Sequence, residues 1–162
     1  MRIEQRLREL GLVLPEPFQS PTGRPYPFSW VRVRGNRAYV SGHLPLAPDG
    51  SLAEPRGKVG AEVTPEHATE AARLAALAAI GSLGRALGDL DRVTAWLRVF
   101  GMVNVAPGFT QVAGVVNGSS DLLIEVFGPE VGGHARSAVG MAELPFGVAV
   151  EIEAEVEIDG EA

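Results

Sequence analysis

From Val148 to Ile158 the chain alternates without a break. Val148, Val150, Ile152, Ala154, Val156 and Ile158 share one parity, and Ala149, Glu151, Glu153, Glu155 and Glu157 share the other. Side chains recur every two residues on a strand and every 3.6 on a helix, so a period of two over this length reads as a half-buried strand. One face goes to a core. The other carries a row of carboxylates, which repel one another if left unpaired. Just upstream stand a turn, Leu144-Pro145-Phe146-Gly147, and one arginine, Arg136, at the head of a short apolar run. A cation and carboxylates on neighbouring strands can make a site for a small anionic molecule.

The rest of the chain supplies partners for that strand. Ile3 to Leu10 reads as a short amphipathic helix, and residues 11 to 29 as a proline-rich arm. Trp30 to Arg34 alternates, Gly35-Asn36 is a turn pair, and Ala38 to Ser41 resumes a strand, which together predict a hairpin. Thr64-Pro65-Glu66 opens a helix that runs to Leu87: Thr64 can cap it, Pro65 suits its first position, and Gly88 can stop it. That helix is rich in alanine and glycine, which permits close packing. Arg92 to Val103 alternates as a strand, with Val93, Ala95, Leu97 and Val99 opposed to Thr94, Trp96, Arg98 and Phe100. A second helix is expected from Phe109 to Val126, interrupted near Asn117-Gly118 and ended by Gly128-Pro129. Two closing strands, at Arg136 and after Gly147, read as a final hairpin. The order hairpin, helix, strand, helix, hairpin implies an α+β fold: a mixed, mostly antiparallel sheet with two helices on one face. With 162 residues, one domain is expected at 25–162, preceded by a helix and arm at 1–24.

Several functions are disfavoured. The absence of cysteine removes disulfides, thiolate zinc sites and a cysteine nucleophile. The histidines, His43, His67 and His134, lack metal-ligand spacing, so no metal and no cofactor are expected. The net charge of −6 and an acidic C-terminus disfavour gripping a nucleic-acid backbone. No apolar run reaches the roughly 18 residues of a membrane span, and the N-terminus lacks the apolar core of a signal peptide. A cytoplasmic location is the default. Ser41 and His43 should share a strand face, but no third member of a catalytic triad can be named.

Among the carboxylates, Glu153, Glu155 and Glu157 read as a solvated face. Glu151 is the one nearest the Leu144 to Gly147 turn, and so the best placed to meet the strand that begins at Arg136. Arg136 by itself is either a structural ion-pair partner or a ligand for an anion. The surrounding residues bear on that choice. ARSAVGMAELPFGVAVEIEAEV closely resembles the signature of the RidA family, also called YjgF or endoribonuclease L-PSP. Arg136, Ser137, Val139, Ala142, Leu144, Pro145, Glu151 and Glu153 stand where the family pattern has them. Tyr39-Val40-Ser41-Gly42-His43-Leu44-Pro45 is similar to a second element, and Val116-Asn117 leading a helix to a third. The order of elements agrees from about Phe28 to the end, and the first two dozen residues resemble the extension of a longer subgroup.

The resemblance implies a chorismate-mutase-like α+β fold and a homotrimer with ligand clefts between subunits. It implies hydrolysis of small carboxylate-bearing enamines and imines, of the 2-aminoacrylate type, to 2-keto acids and ammonia. Arg136 would hold the carboxylate and Glu151 would orient the water. Ser41, Gly42, Phe28, Asn117 and Ala138 would line the substrate site. A planar guanidinium suits a carboxylate, and an imine carbon is electrophilic enough to need one oriented water rather than a metal. Two positions depart from the family, Ala138 replacing its cysteine and His43 its glutamine; its tyrosine corresponds to Phe28, or to Tyr26 if the register shifts. Phe28 and Ala138 favour an alternative, a non-catalytic module that binds 2-keto acids or related carboxylates. An endoribonuclease, which one family name suggests, is disfavoured by the acidic balance.

Overall fold

The computed structural model of the protein describes residues 2–160. Its elements are α1 (Arg2–Glu9), β1 (Val31–Arg34), β2 (Arg37–His43), α2 (Pro65–Leu87), β3 (Val93–Asn104), α3 (Val112–Val131), β4 (Ala135–Met141) and β5 (Val150–Ile158). The five strands form one sheet in the order β1-β2-β5-β3-β4. β4 lies parallel to β3, and every other neighbouring pair is antiparallel. The fold is the expected α+β arrangement with the long helices on one face. The closing strands correct the sequence reading: they do not pair as a hairpin. β4 takes the sheet edge, while β5 inserts between β2 and β3.

The parity of β5 organises the two faces. Val150, Ile152, Ala154, Val156 and Ile158 are buried against the helices, whereas Glu151, Glu153, Glu155 and Glu157 look outward. β3 departs from plain alternation. It carries an extra residue against β5 between Val93 and Ala95, and another between Trp96 and Arg98. These bulges turn Trp96 into the core, where it is 1% exposed, on the same side as Val93 and Val99. Sequence parity alone puts Trp96 opposite them. β2 also bulges: three steps from Val40 to His43 match two steps from Ala154 to Ile152. His43 therefore joins Val40 on the core face, and Ser41 and His43 do not share a face.

α2 begins and ends at the expected residues. Thr64 Oγ1 accepts the His67 N–H, and Gly88 closes the helix in the left-handed region at φ 78°. Its alanines are buried nearly all round because the sheet, α3 alongside and the N-terminal arm enclose the helix. α3 is not interrupted at Asn117-Gly118. Gly118 is there for closeness: a Cβ on it would run into the Thr69 carbonyl of α2. Gly128 breaks the helical path at φ 82°, ψ 164°, but a last turn resumes at Pro129 and runs to Val131. At the other end, α1 drops Leu7 into the same core, and its first N–H groups are capped by Asp91: Arg2 N–H and Ile3 N–H donate to the two oxygens at 2.8 and 2.9 Å. Among the described residues, no helix is long and apolar enough to cross a membrane.

The contrast between two glycines of α3 tests this packing. Gly114 is exposed, and a Cβ added to it would meet no atom within 4 Å. Gly114→Ala should stabilise the protein by about 0.4–1 kcal/mol, by restricting the unfolded chain. Gly118→Ala should destabilise it by about 1–3 kcal/mol, as overpacking does. Urea unfolding of both variants measures the pair, and shifts of the same sign would contradict the close crossing of α2 and α3.

Candidate functional site

The expected site residues fall into two groups on opposite faces of the sheet. Arg136 is in register with Val99, and Ala138 with Gly101; both point to the helix side. There the guanidinium meets the N-terminal half of α3. Nη1 donates to Asn117 Oδ1 at 2.8 Å and to Ser120 Oγ at 3.1 Å, and Nη2 donates to the Ala113 carbonyl at 3.3 Å. All three acceptors are neutral. Among the described residues Arg136 has no carboxylate partner, so its charge is not cancelled, and Nε–H and one Nη2–H meet no protein acceptor. Gly101 and Ala138 keep this part of the sheet low: a Cβ on Gly101 would come within 2.5 Å of Val116 in α3.

Two members of this group carry no signal in the sequence pattern. His134 Nδ1 lies 2.7 Å from the Gly132 carbonyl, which can only accept, so that nitrogen bears the proton. Nε2 is then the acceptor for the Ser120 hydroxyl at 2.9 Å. Ser120 Oγ in turn accepts from Arg136. The chain Gly132, His134, Ser120, Arg136 sets the hydroxyl's direction and steadies the guanidinium. Ser120 and Arg136 are 16 residues apart, on a helix and an edge strand, and only the fold brings them together.

Glu151 lies on the outer face, in register with Met102 and separated from β4 by β3. This corrects the sequence reading, which puts it against the Arg136 strand; within one chain the two side chains point to opposite sides. Its companions are Gly42 and Phe28. The β2 bulge brings Gly42 over the Glu151 carboxylate, so closely that a Cβ on Gly42 would overlap Oε2. Burial raises the Glu151 pKa above the ordinary carboxylate value, and the neighbouring Glu153 charge adds to the rise. Phe28, 50% exposed, flanks the same cleft, together with Phe18, Tyr26, Trp30, Leu44, Pro145 and Phe146. Ser41 is adjacent but differently engaged: its hydroxyl donates to the Ser29 carbonyl at 2.7 Å, pinning the N-terminal arm to the bulge.

His43 stands beneath the bulge as a core residue. Its Nδ1 lies 2.6 Å from the Ser41 carbonyl and its Nε2 2.8 Å from Ser82 Oγ. Arg85 donates onward to Ser82 Oγ at 3.2 Å and to the Pro15 carbonyl at 3.2 Å. The neutral imidazole with Nδ1 protonated satisfies every bond in this chain. Burial lowers the His43 pKa to about 4, a backbone hydrogen bond to Ser41 opposes that, and the Arg85 charge adds to it. Elsewhere, the carboxylates of Glu4, Asp89 and Asp91 gather within 4.8 Å, but they are used as caps: Asp91 for α1, and Asp89 for the Asp91 N–H at 2.8 Å.

Comparison with known proteins agrees with this geometry over nearly the whole chain. Residues 4–151 match the family described as "YjgF/chorismate mutase-like, putative endoribonuclease". "Protein TCP17" of Trypanosoma cruzi is 42% identical over 158 residues, covering 98% of this chain and 95% of its own. A crystal structure of a protein of unknown function from Agrobacterium tumefaciens is 41% identical, with a TM-score of 0.87 over 98% of this chain and 93% of that one. One from Shewanella oneidensis, called a "putative endoribonuclease", is 32% identical, with a TM-score of 0.85 over 96% and 99% of the two chains. The N-terminal helix and arm thus lie within the region shared with the nearer relatives.

The buried imidazole makes stability depend on pH. His43 stays neutral in the folded protein down to about pH 4, whereas in the unfolded chain it titrates near 6.5. The unfolded state therefore binds more protons between those values, and stability falls as pH falls through that window. The full shift corresponds to about 3 kcal/mol. His43→Gln keeps an amide for Ser82 and cannot titrate, so its stability curve between pH 6.5 and 4 should be flatter by that amount. Equal slopes in urea unfolding across the window would show that His43 is not the acid-sensitive group.

Proposed function

Since the chain belongs to the YjgF/chorismate mutase-like family, we propose that it hydrolyses carboxylate-bearing imines and their enamine tautomers to 2-keto acids and ammonia. The observation that carries this reading is the state of Arg136. A guanidinium held by neutral acceptors, with N–H groups to spare, is prepared to receive an anion, and its planar fork fits a carboxylate. Glu151 supplies the other half of the chemistry. Burial raises its pKa above the ordinary carboxylate value, which makes it a stronger acceptor for a proton from water.

The reaction balances without further reagents. Glu151 removes a proton from water as the oxygen bonds to the imine carbon, and the C=N electron pair moves to nitrogen. Glu151 passes that proton to the nitrogen, giving a carbinolamine; it then carries the hydroxyl proton to the amine as the C–N bond breaks, and ammonia leaves as the C=O bond forms. Arg136 keeps the carboxylate, and with it the reacting carbon, in place throughout. No covalent intermediate with the protein is required.

Arg136 and Glu151 cannot act on one molecule from a single chain, because the sheet lies between them. We read the site as shared: Arg136, Asn117 and Ala138 from one subunit face Glu151, Gly42 and Phe28 from the next, in a homotrimer with three equivalent clefts. The name carried by the Shewanella protein suggests RNA cleavage instead. The outward row of Glu153, Glu155 and Glu157 and the net charge of −6 give that reading less support.

Two measurements test the proposal. Ammonia release from an imine generated by an amino-acid oxidase should accelerate over buffer, and Arg136→Ala and Glu151→Gln should each lower kcat/KM by roughly 100-fold or more. No acceleration, with tight calorimetric binding of 2-keto acids, would favour a binding module. For the sharing, neither variant is active alone, but oligomers co-refolded from equal amounts of both should regain about a quarter of the wild-type activity, since one site in four then pairs an intact Arg with an intact Glu. Mixed oligomers as inactive as their parents would rule out a site made by two chains.

A further inference from the structure

The arm before β1 and the turn before β5 bring five aromatic rings to one place. Phe28 and Trp30 meet edge to face with centroids 5.1 Å apart, Tyr26 lies 5.3 Å from Phe28, and Phe18 sits 6.0 Å from both Trp30 and Phe146. In a protein with 10 aromatic residues among Phe, Trp and Tyr, half are spent here. They are not simply core. Tyr26, Phe28 and Phe146 are 36%, 50% and 37% exposed. Clustered exposed apolar surface of this kind marks a binding site more often than chance.

Two details show that the cluster is shaped rather than collapsed. The rings border a cleft of about 270 Å³ with Glu151 and Gly42 at its floor. Phe146 holds φ 58°, the sole positive value outside glycine among the described residues, a conformation disfavoured for a bulky side chain. It is kept there by its surroundings: Arg56 Nη1 donates to the Phe146 carbonyl at 3.1 Å, and Gly57 N–H donates to the Gly147 carbonyl at 2.7 Å. That turn sets the Phe146 ring against Phe18 in the lining of the cleft.

We propose that this aromatic cleft receives the substrate's side chain, and that the protein prefers imines bearing an aromatic or other bulky apolar group over two- and three-carbon ones. The inference rests on the imine-hydrolase reading of Glu151 and Arg136. The cleft is too small for a whole drug-sized ligand but suits a side chain next to the reacting carbon. Ring edges and faces favour an aromatic guest, and a methyl or methylene group would leave most of the wall in water. Discrimination of roughly 10-fold or more per missing methylene is within reach of an apolar pocket, so a benzyl group should gain on the order of 100-fold over a methyl.

The test compares imines made in situ from phenylalanine and alanine by an amino-acid oxidase, beside calorimetry with phenylpyruvate and pyruvate. The phenylalanine-derived imine should be favoured by on the order of 100-fold in kcat/KM, and phenylpyruvate should bind at least about 10-fold tighter than pyruvate. Phe28→Ala should lower both ratios by about 10-fold; Phe28 is half-exposed, and Phe28→Leu controls for folding by keeping an apolar side chain. Equal handling of the two imines, preference for a lysine-derived imine, or ratios untouched by Phe28→Ala would overturn the inference while Arg136-dependent turnover left the hydrolase reading intact. Absence of all turnover, with phenylpyruvate still bound more tightly and Phe28-dependently, would reject the hydrolase and keep the pocket.

Discussion

The last strand holds this protein together. β5 lies between β2 and β3 and hydrogen-bonds to both, so the sheet is not continuous until the C-terminal residues are in place. Without it, two strand edges would carry unpaired backbone groups beside an apolar core. Its side chains decide which face of the sheet is which. A slip of one residue would turn Glu151, Glu153, Glu155 and Glu157 toward α2 and α3, and bring the valines and isoleucines outside. The regular pattern of β5 is thus the reference against which its neighbours adjust.

Those adjustments are the bulges, and they connect folding to the site. One extra residue in β2 allows Gly42 to lie over Glu151 while His43 turns inward toward Ser82. The same bulge exposes the Ser41 hydroxyl to the Ser29 carbonyl, which fixes the end of the arm that carries Tyr26 and Phe28. From α2, Arg85 reaches the Pro15 carbonyl and steadies the beginning of that arm. A polar chain through the core therefore supports a cleft on the surface. The geometry of Glu151 depends on residues that never touch it.

Much of this is legible in the sequence where a pattern is local. The parity of β5 and the cap, proline and glycine of α2 are short-range signals, and they appear in the structure at the residues that carry them. The pairing of distant strands is not local. Nothing in residues 135–158 says that β4 runs parallel to β3 or that β5 passes between two earlier strands. Simple alternation puts Trp96 on the wrong side because a bulge changes parity without changing composition. Gly118 has the look of a breaker of α3, when its role is to let α2 approach. Arg136, Asn117, Glu151 and Gly42 can be named from their resemblance to a family pattern. Phe28 can be named in the same way, but Ser120, His134, Phe18, Trp30 and Phe146 cannot, because their significance lies only in being adjacent in space.

The placement of Arg136 and Glu151 on opposite faces has a chemical advantage under the shared-site reading. Side by side in one chain they would pair with each other, and the guanidinium would pull the carboxyl's pKa down. An ion pair of that kind would have to be broken before either group could meet a substrate. The sheet prevents it. Arg136 rests on Asn117, Ser120 and a backbone carbonyl, none of which cancels its charge. Glu151 is desolvated next to another carboxylate, which pushes its proton affinity up rather than down. Each group thus keeps its own electrostatic state within one chain. In a cleft between subunits, the substrate's carboxylate would occupy the arginine and its reacting carbon would separate the two charges. The acid-base group would then keep its raised pKa because the cation beside it is already neutralised by the molecule it has bound.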